Sequence, residues 1–100
     1  MIVVTGHITL SPDHRDTALA AIAALVPATR AEAGNLEYRY SVDLDDENRI
    51  NIEERWQDEA SMTEHMGAEA LATFMGAIGP CIGGSVSITR YDVSGTTTIF

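Results

Sequence analysis

The residue with the clearest chemical potential is Glu54, which lies on the apolar side of a predicted strand, two residues before Trp56. A carboxylate there costs free energy unless it is hydrogen-bonded, paired with a charge or protonated through a raised pKa. His65 lies on the helix that follows and faces the same side of the sheet. A carboxylate beside an imidazole can orient the ring and exchange protons. We predict His65, Glu54 and Trp56 as catalytic residues, with Trp56 stacking on a substrate ring.

Side chains typical of a small-molecule pocket surround this group. Two tyrosines of the neighbouring strand lie on the same side, and the helical spacing adds two methionines and a phenylalanine. An apolar wall with few polar groups is the usual composition of a ligand pocket. The predicted substrate-binding residues are Tyr38, Tyr40, Met62, Met66 and Phe74.

Each of these residues also has a purely structural interpretation. A histidine on an apolar helix face is more often a satisfied core residue, and a tryptophan usually packs in the core. A buried glutamate can serve only to hold a backbone or arginine partner. The functional interpretation therefore depends on the convergence of Glu54, Trp56 and His65 on one predicted face.

The elements that must position these residues follow the order βαββαβ. Apolar alternation predicts strands over 2–10, 36–43, 49–57 and 85–93. Helical spacing predicts one helix after Ser11, kinked or restarted at Pro27 and ended by Gly34, and a second helical region between the third and fourth strands. This order predicts a ferredoxin-like α+β fold with both helical regions on one face of a four-stranded antiparallel sheet. The alternate, mostly apolar residues of each strand are predicted to face the helices. Leu36 and Val42 are among them.

The opposite face of the predicted sheet is polar. It carries His7, Arg39, Glu53 and Arg55, which alternate in sign. We expect this face to meet a second subunit, because closing two sheets together would protect their edges. The uncharged tail over 94–100 is expected to cross to the partner, so the predicted assembly is a homodimer.

Composition excludes several classes of function. The chain has 100 residues with 15 Asp or Glu, six Arg and no Lys, a net charge of −9. Nucleic acid and anionic membrane surfaces are therefore poor partners. There is no apolar run of about 18 residues and no signal-peptide pattern, and the lone Cys81 cannot form an intramolecular disulfide. We expect one soluble, cytoplasmic domain over residues 1–100.

No metal site is predicted. The three histidines have no shared ligand spacing, and neither H-x-x-x-H nor C-x-x-C occurs. His14 is expected to be exposed at the start of a helix, and Cys81, with no adjacent base, to be structural. Gly83 and Gly84 precede a strand rather than a helix, so they do not form a phosphate loop.

Two segments resemble the antibiotic biosynthesis monooxygenase family. They are TRAEAGNLEYRYSVD over 29–43 and INIEERWQDEASMTEH over 50–65. Members of the family typically have an arginine-x-glutamate-x-glycine step into strand two, a glutamate-x-tryptophan at the end of strand three and a histidine on the next helix. With the start IVVTGHITLSP, the resemblance covers essentially the whole chain.

The resemblance implies a dimeric α+β barrel with a pocket between the sheet and the helices of each subunit. It also implies oxidation of phenols, quinols or polyketide anthrones by O₂ without a cofactor, as in the founding members. The haem-degrading branch carries an asparagine at the place of Gly6 and a haem-ligating histidine at the place of Met75. Haem degradation is therefore not expected. A second histidine found in many members is absent here, near Ala70.

The leading hypothesis is a cofactor-free monooxygenase in which His65 deprotonates a phenolic substrate. Glu54 would orient His65, and Tyr38 or Tyr40 would hydrogen-bond a substrate oxygen. Two alternatives remain: an isomerase or lyase that uses the same pair without consuming oxygen, and a non-catalytic module that binds hydrophobic molecules. No feature of the sequence separates these three, because one fold supports many functions.

Overall fold

The computed structural model describes all 100 residues, as a four-stranded sheet with three helices on one face. The strands are β1 (Ile2–Leu10), β2 (Asn35–Val42), β3 (Arg49–Trp56) and β4 (Ile82–Asp92). The helices are α1 (Arg15–Arg30), α2 (Glu59–Met66) and α3 (Glu69–Ile78). Neighbouring strands are antiparallel in the order β2-β3-β1-β4. The predicted ferredoxin-like α+β fold is confirmed.

The ends of some elements differ from the sequence-based expectation. A short 3₁₀ turn over Pro12–His14 precedes α1, which ends at Arg30, before Gly34. Pro27 lies inside α1, which continues through it to Arg30, and Leu25 and Thr29 on either side are buried. β4 begins at Ile82, earlier than predicted.

The prediction that Leu36 and Val42 face the helices is wrong. Leu36 is 55% exposed and Val42 is 45% exposed. The pairing of β2 with β3 shifts between Asn35 and Glu37, which leaves Leu36 without a residue opposite it. Such a bulge turns the extra residue out of the regular alternation. Val42 is the last residue of β2, a strand at the edge of the sheet.

The core lies between the sheet and the helices. Alternate residues of β1, Ile2, Val4, Ile8 and Leu10, are buried there and belong to one cluster of 14 buried residues. Full burial of a large apolar side chain contributes about 1.5–3 kcal/mol to the free energy of unfolding. α1 packs against α3 and β2, so burial is concentrated under α1 and no helix covers β4 to the same extent. Val86 and Ile88 of β4 remain half-exposed on the helix side of the sheet.

The opposite face of the sheet is polar and has no element packed on it. Its residues are partly or fully exposed along all four strands. His7 lies on this face and its Nε2 is 2.9 Å from the Ser85 hydroxyl of β4. Arg39 pairs with Glu37 along the same strand, 2.9 Å between the charged atoms. This face is therefore polar and uncovered, as the alternation predicts.

β1 and β4 approach each other very closely at Gly6. A Cβ atom built on Gly6 would lie 2.0 Å from the carbonyl oxygen of Ser87 and 2.6 Å from Cα of Ile88. Gly6 has the parity of Val4, so its missing side chain would point to the helix side, and the backbone of β4 occupies that space. An asparagine here, as in the haem-degrading branch, would require β4 to move.

Replacing Gly6 by Ala is expected to lower the free energy of unfolding by about 1–3 kcal/mol, because the new methyl group overlaps backbone atoms that cannot rotate away. Gly76→Ala is the matched control. A Cβ at Gly76 meets no atom within 4 Å, and Ala is favoured over Gly in a helix by about 1 kcal/mol. Urea denaturation measures both, and equal effects of the two substitutions would contradict the close approach.

Candidate functional site

A cavity of about 570 Å³ opens between the sheet and helices α2 and α3. Fifteen of the nineteen residues that line it are hydrophobic, and its volume is within the range of small-molecule sites. Two acid–base groups, His65 and Glu54, reach its wall. The five side chains predicted as substrate contacts also line it: Tyr38, Tyr40, Met62, Met66 and Phe74.

The sheet forms the floor of the cavity as rows of directly paired residues. One row, running from β2 to β4, is Tyr38, Glu54, Val4 and Arg90. The next row is Tyr40, Ile52, Gly6 and Ile88. Adjacent strands are about 4.8 Å apart, so the backbones of Glu54 and Arg90 are about 10 Å apart. Apart from the hydroxyl group of Tyr40 in the second row, the polar side-chain atoms of these two rows belong to Tyr38, Glu54 and Arg90 of the first row.

His65 is buried between two carboxylates. It is only 2% exposed. Its Nδ1 lies 2.9 Å from Oε2 of Glu32, and its Nε2 lies 3.9 Å from Oε1 of Glu54. The first distance is a hydrogen bond and the second is too long for one. The sequence predicts that Glu54 orients His65, whereas in the structure the direct partner of the ring is Glu32.

Glu32, the direct partner of His65, is not singled out by the sequence analysis. The signal for it is present, since Glu32 is the glutamate of the arginine-x-glutamate-x-glycine step. It lies in the turn after α1, 33 residues before His65 in the chain. No helical or strand spacing relates two residues that far apart, so only the tertiary structure brings them together.

Glu54 is held in a nearly dry position. It is 7% exposed, and its Oε1 accepts a hydrogen bond of 3.0 Å from Nε1 of Trp56. Burial raises the pKa of Glu54, and the hydrogen bond from Trp56 only partly opposes that effect. Glu54 therefore retains its proton to a higher pH than an exposed carboxyl group.

The structure does not support the prediction that Trp56 stacks on a substrate ring. Trp56 is fully buried and is not part of the cavity wall. Its ring centre lies 4.5 Å from that of His65, with the planes inclined by 31°. Trp56 thus covers one face of the imidazole and donates to Glu54. Its contacts are those of a residue that positions the acid–base pair.

Tyr38 and Tyr40 form a pair of phenols on the wall of the cavity. Their hydroxyl oxygens are 3.3 Å apart, and the ring of Tyr38 lies 5.4 Å from that of His65. Burial raises the pKa of both, that of Tyr40 to about 12. Both phenols therefore remain protonated at neutral pH. The hydrogen bond between the two hydroxyl groups uses only one of their two hydrogens, so the other hydrogen can be donated to a ligand oxygen.

The remaining candidate residues lie elsewhere. His14 is exposed at the start of α1, and the thiol of the buried Cys81 donates to the carbonyl oxygen of Ala77 at 3.4 Å. No group of three or more His, Cys, Asp or Glu side chains is arranged to hold a metal ion. Arg90 lines the cavity, and its guanidinium group is hydrogen-bonded to Glu59 and Asp92.

The fold and the cavity together define a ferredoxin-like α+β protein with a buried histidine and glutamate on the wall of a mostly apolar cavity. Residues 1–77 match the model of the antibiotic biosynthesis monooxygenase family. The chain belongs to this family, which supports a general monooxygenase-like function. Proteins of the family are typically dimeric. None of the helices is long and apolar enough to cross a membrane.

Individual relatives agree with this assignment. The chain is 29% identical to YcnE of Bacillus subtilis (strain 168), described as a monooxygenase, over 94% of this chain and 99% of YcnE. The crystal structure of PA3566 from Pseudomonas aeruginosa is similar with a TM-score of 0.82 and 28% identity, covering 93% of this chain and 94% of PA3566. A Deinococcus radiodurans protein, described as an antibiotic biosynthesis monooxygenase, has the same fold with a TM-score of 0.90 and 24% identity over 100% and 99% of the two chains.

The raised pKa of Glu54 predicts how stability depends on pH. The folded state binds the Glu54 proton more tightly than the unfolded state, so the free energy of unfolding falls as the pH rises above the ordinary carboxyl range. Glu54→Gln removes the ionisation and keeps an oxygen that can accept from Trp56. We expect this variant to become more stable relative to the wild type as the pH rises above about 4, the ordinary range of a glutamate carboxyl group, as measured by urea denaturation.

Glu53→Gln is the matched control for this measurement, because Glu53 is adjacent in β3 but faces the polar side of the sheet. A stability difference between Glu54→Gln and the wild type that does not change with pH would contradict the prediction. The same pH dependence in Glu53→Gln would contradict it as well.

Proposed function

We propose that this protein is a monooxygenase that needs no cofactor and oxidises a small phenolic, quinol or polyketide-like aromatic substrate with O₂. The observation that carries the proposal is the burial of His65 and Glu54 side by side on the wall of an otherwise apolar cavity. An acid–base pair in a dry pocket can generate an electron-rich anion from a neutral aromatic compound. Such an anion reacts with O₂ by transfer of one electron.

The chemistry of an anthrone-type substrate illustrates the sequence of steps. His65 and Glu54 accept one proton, and the resulting anion passes one electron to O₂. The substrate radical and superoxide then combine to a peroxide at carbon, which the proton returned by the pair converts to a hydroperoxide. Loss of water forms the carbonyl group. The balance is one CH₂ group and O₂ giving one C=O group and H₂O, so no other reductant or oxidant is needed.

The charges around the cavity favour a substrate that binds in its neutral form. Arg90 is the only cationic side chain on the wall, and two carboxylates, Glu59 and Asp92, already engage it. The net charge of −9 adds to the negative potential. The substrate would therefore enter as a neutral phenol, quinol or anthrone and lose its proton only inside the cavity. The hydroxyl group of Tyr38 or Tyr40 would hold its oxygen atom.

His65→Ala is expected to lower turnover by about 10²–10⁴-fold, the usual contribution of a positioned base. An oxygen electrode measures uptake with a panel of dihydroxynaphthalenes, anthrones and quinols, corrected for autoxidation. His14→Ala is the control, since His14 is exposed and remote from the cavity. Full turnover in His65→Ala would contradict the proposed base.

Oxygen uptake also tests the reaction class itself. An isomerase or lyase on the same site would convert its substrate without consuming oxygen, and a binding module would return its ligand unchanged. No enzyme-dependent uptake across the panel would contradict the monooxygenase proposal. Mass spectrometry of the molecule that copurifies in the cavity would then distinguish these two alternatives.

We also propose a homodimer formed through the polar face of the sheet, with the tail over 94–100 reaching the partner. Three observations support this arrangement. The polar face is uncovered, Ile99 and Phe100 are strongly exposed, and proteins of the family are typically dimeric. A cytoplasmic location belongs to the proposal, since the single Cys81 is buried and unpaired.

Deleting residues 94–100 is expected to weaken the dimer, because the tail would no longer bury its two apolar side chains against the partner. Sedimentation velocity over a range of protein concentrations measures the dissociation constant. Ser94→Ala, a change in the same tail that removes no apolar surface, is the control. An unchanged dissociation constant after deletion would contradict the proposed role of the tail.

A further inference from the structure

We propose that Glu32 is a positioning residue that fixes the tautomer of His65, so that Nε2 is the only ring nitrogen able to take a substrate proton. The expected effect on turnover rests on the proposed function. The tautomer of His65 does not, because it is a property of the protein without substrate. The juxtaposition that carries it is the 2.9 Å contact between Oε2 of Glu32 and Nδ1 of the buried His65.

The backbone around Glu32 is held by its own turn. α1 ends at Arg30, and the Glu32 amide donates to the carbonyl oxygen of Thr29 at 3.0 Å. The Glu32 carbonyl oxygen then accepts from the amide of Asn35 at 3.3 Å, at the start of β2. These bonds on either side leave little freedom for the position from which the carboxylate reaches His65.

Gly34 docks this turn onto the corner between β3 and α2. Its φ of 80° lies in the left-handed region that favours glycine, and a Cβ there would lie 1.8 Å from Oγ of Ser61. The Gly34 carbonyl oxygen accepts from the amide of Gln57 at 2.8 Å. The turn that carries Glu32 is therefore packed directly on the first turn of α2.

The start of α2 is itself fixed at the point of this contact. Asp58 caps the helix, and its Oδ1 accepts from both the amide of Ser61 at 2.9 Å and the hydroxyl of Ser61 at 2.7 Å. His65 follows Ser61 by one helical turn, and residues four apart lie on the same helix face. The docking of Gly34 on Ser61 thus aligns Glu32 with His65.

This alignment has a chemical consequence for the imidazole. An ionised carboxylate has acceptor atoms only, so a hydrogen bond to Glu32 requires the proton on Nδ1. In the neutral ring the lone pair of Nε2 then faces Glu54 and the cavity. When Nε2 takes a proton, the imidazolium ion lies between Glu32 and Glu54, with Tyr38 and Trp56 as the other ring neighbours. Glu32 does not line the cavity, so it acts through His65.

The direct test is nitrogen-15 NMR of the histidine rings in the substrate-free protein, which distinguishes the protonated from the unprotonated nitrogen. We expect the wild type to show His65 with the proton on Nδ1. Glu32→Gln should keep this tautomer, since a carboxamide oxygen can still accept from Nδ1, whereas Glu32→Ala should shift the proton to Nε2. Glu64→Ala, an exposed neighbour of His65 on α2, should leave the tautomer unchanged.

The kinetic test separates a positioning role from a binding role. Glu32→Ala should lower kcat by about 10- to 100-fold, as expected when a catalytic group is misplaced, and leave KM within about twofold because Glu32 does not touch the ligand. Glu32→Gln should lower kcat less than Glu32→Ala does. If Glu32→Ala does not fold, Glu32→Asp takes its place, since its shorter carboxylate cannot reach Nδ1.

Two results would overturn the inference: retention of the Nδ1–H tautomer in the variant that loses the contact, or a rise in KM with an unchanged kcat. The tautomer is measured without substrate or oxygen. If the wild type consumes no oxygen, the proposed function fails while the NMR result still decides the role of Glu32.

Discussion

The placement of His65 between two carboxylates is the constraint on which the rest of the structure depends. A buried imidazole can stay in an apolar layer only if its ring nitrogens have polar partners, and Glu32 supplies the close one. Glu54 faces the other nitrogen and is in turn held by Trp56. Three separate elements, the turn after α1, the end of β3 and the helix α2, must therefore keep their relative positions for the site to exist.

The cavity beside this group exists because the helices do not cover the whole sheet. α1 and α3 pack against each other, and the helix side of β4 keeps Val86 and Ile88 half-exposed. At Gly6 of β1 the backbone of β4 occupies the space that a side chain would fill. The result is a pocket that is apolar along most of its floor and polar along one row. The aromatic substrate proposed above, with one ionisable group, matches such a distribution of polarity.

Membership of the family indicates a class of reaction, and the charges of the site indicate which charge state of a ligand the cavity favours. Glu54 has a raised pKa because it is buried, and the only cation on the cavity wall is already engaged by two carboxylates. Because Arg90 is engaged, it offers no free positive charge to an anionic ligand. The raised pKa of Glu54 favours uptake of a proton inside the pocket. Glu32 lies outside the cavity and its carboxylate is hydrogen-bonded to His65. This position separates the residues that would touch a substrate from those that position them.

The sequence by itself determined the order of elements and the side on which most site residues lie, because strand alternation and helical spacing are local properties of the chain. Glu54, His65 and the two tyrosines could be placed on one face in this way. The bulge at Leu36 could not be predicted, since it depends on the register between β2 and β3. Only the tertiary structure showed that Trp56 lies behind the imidazole and that Glu32 reaches it. Both contacts depend on how separate elements pack, and no periodicity encodes the packing of residues 33 positions apart.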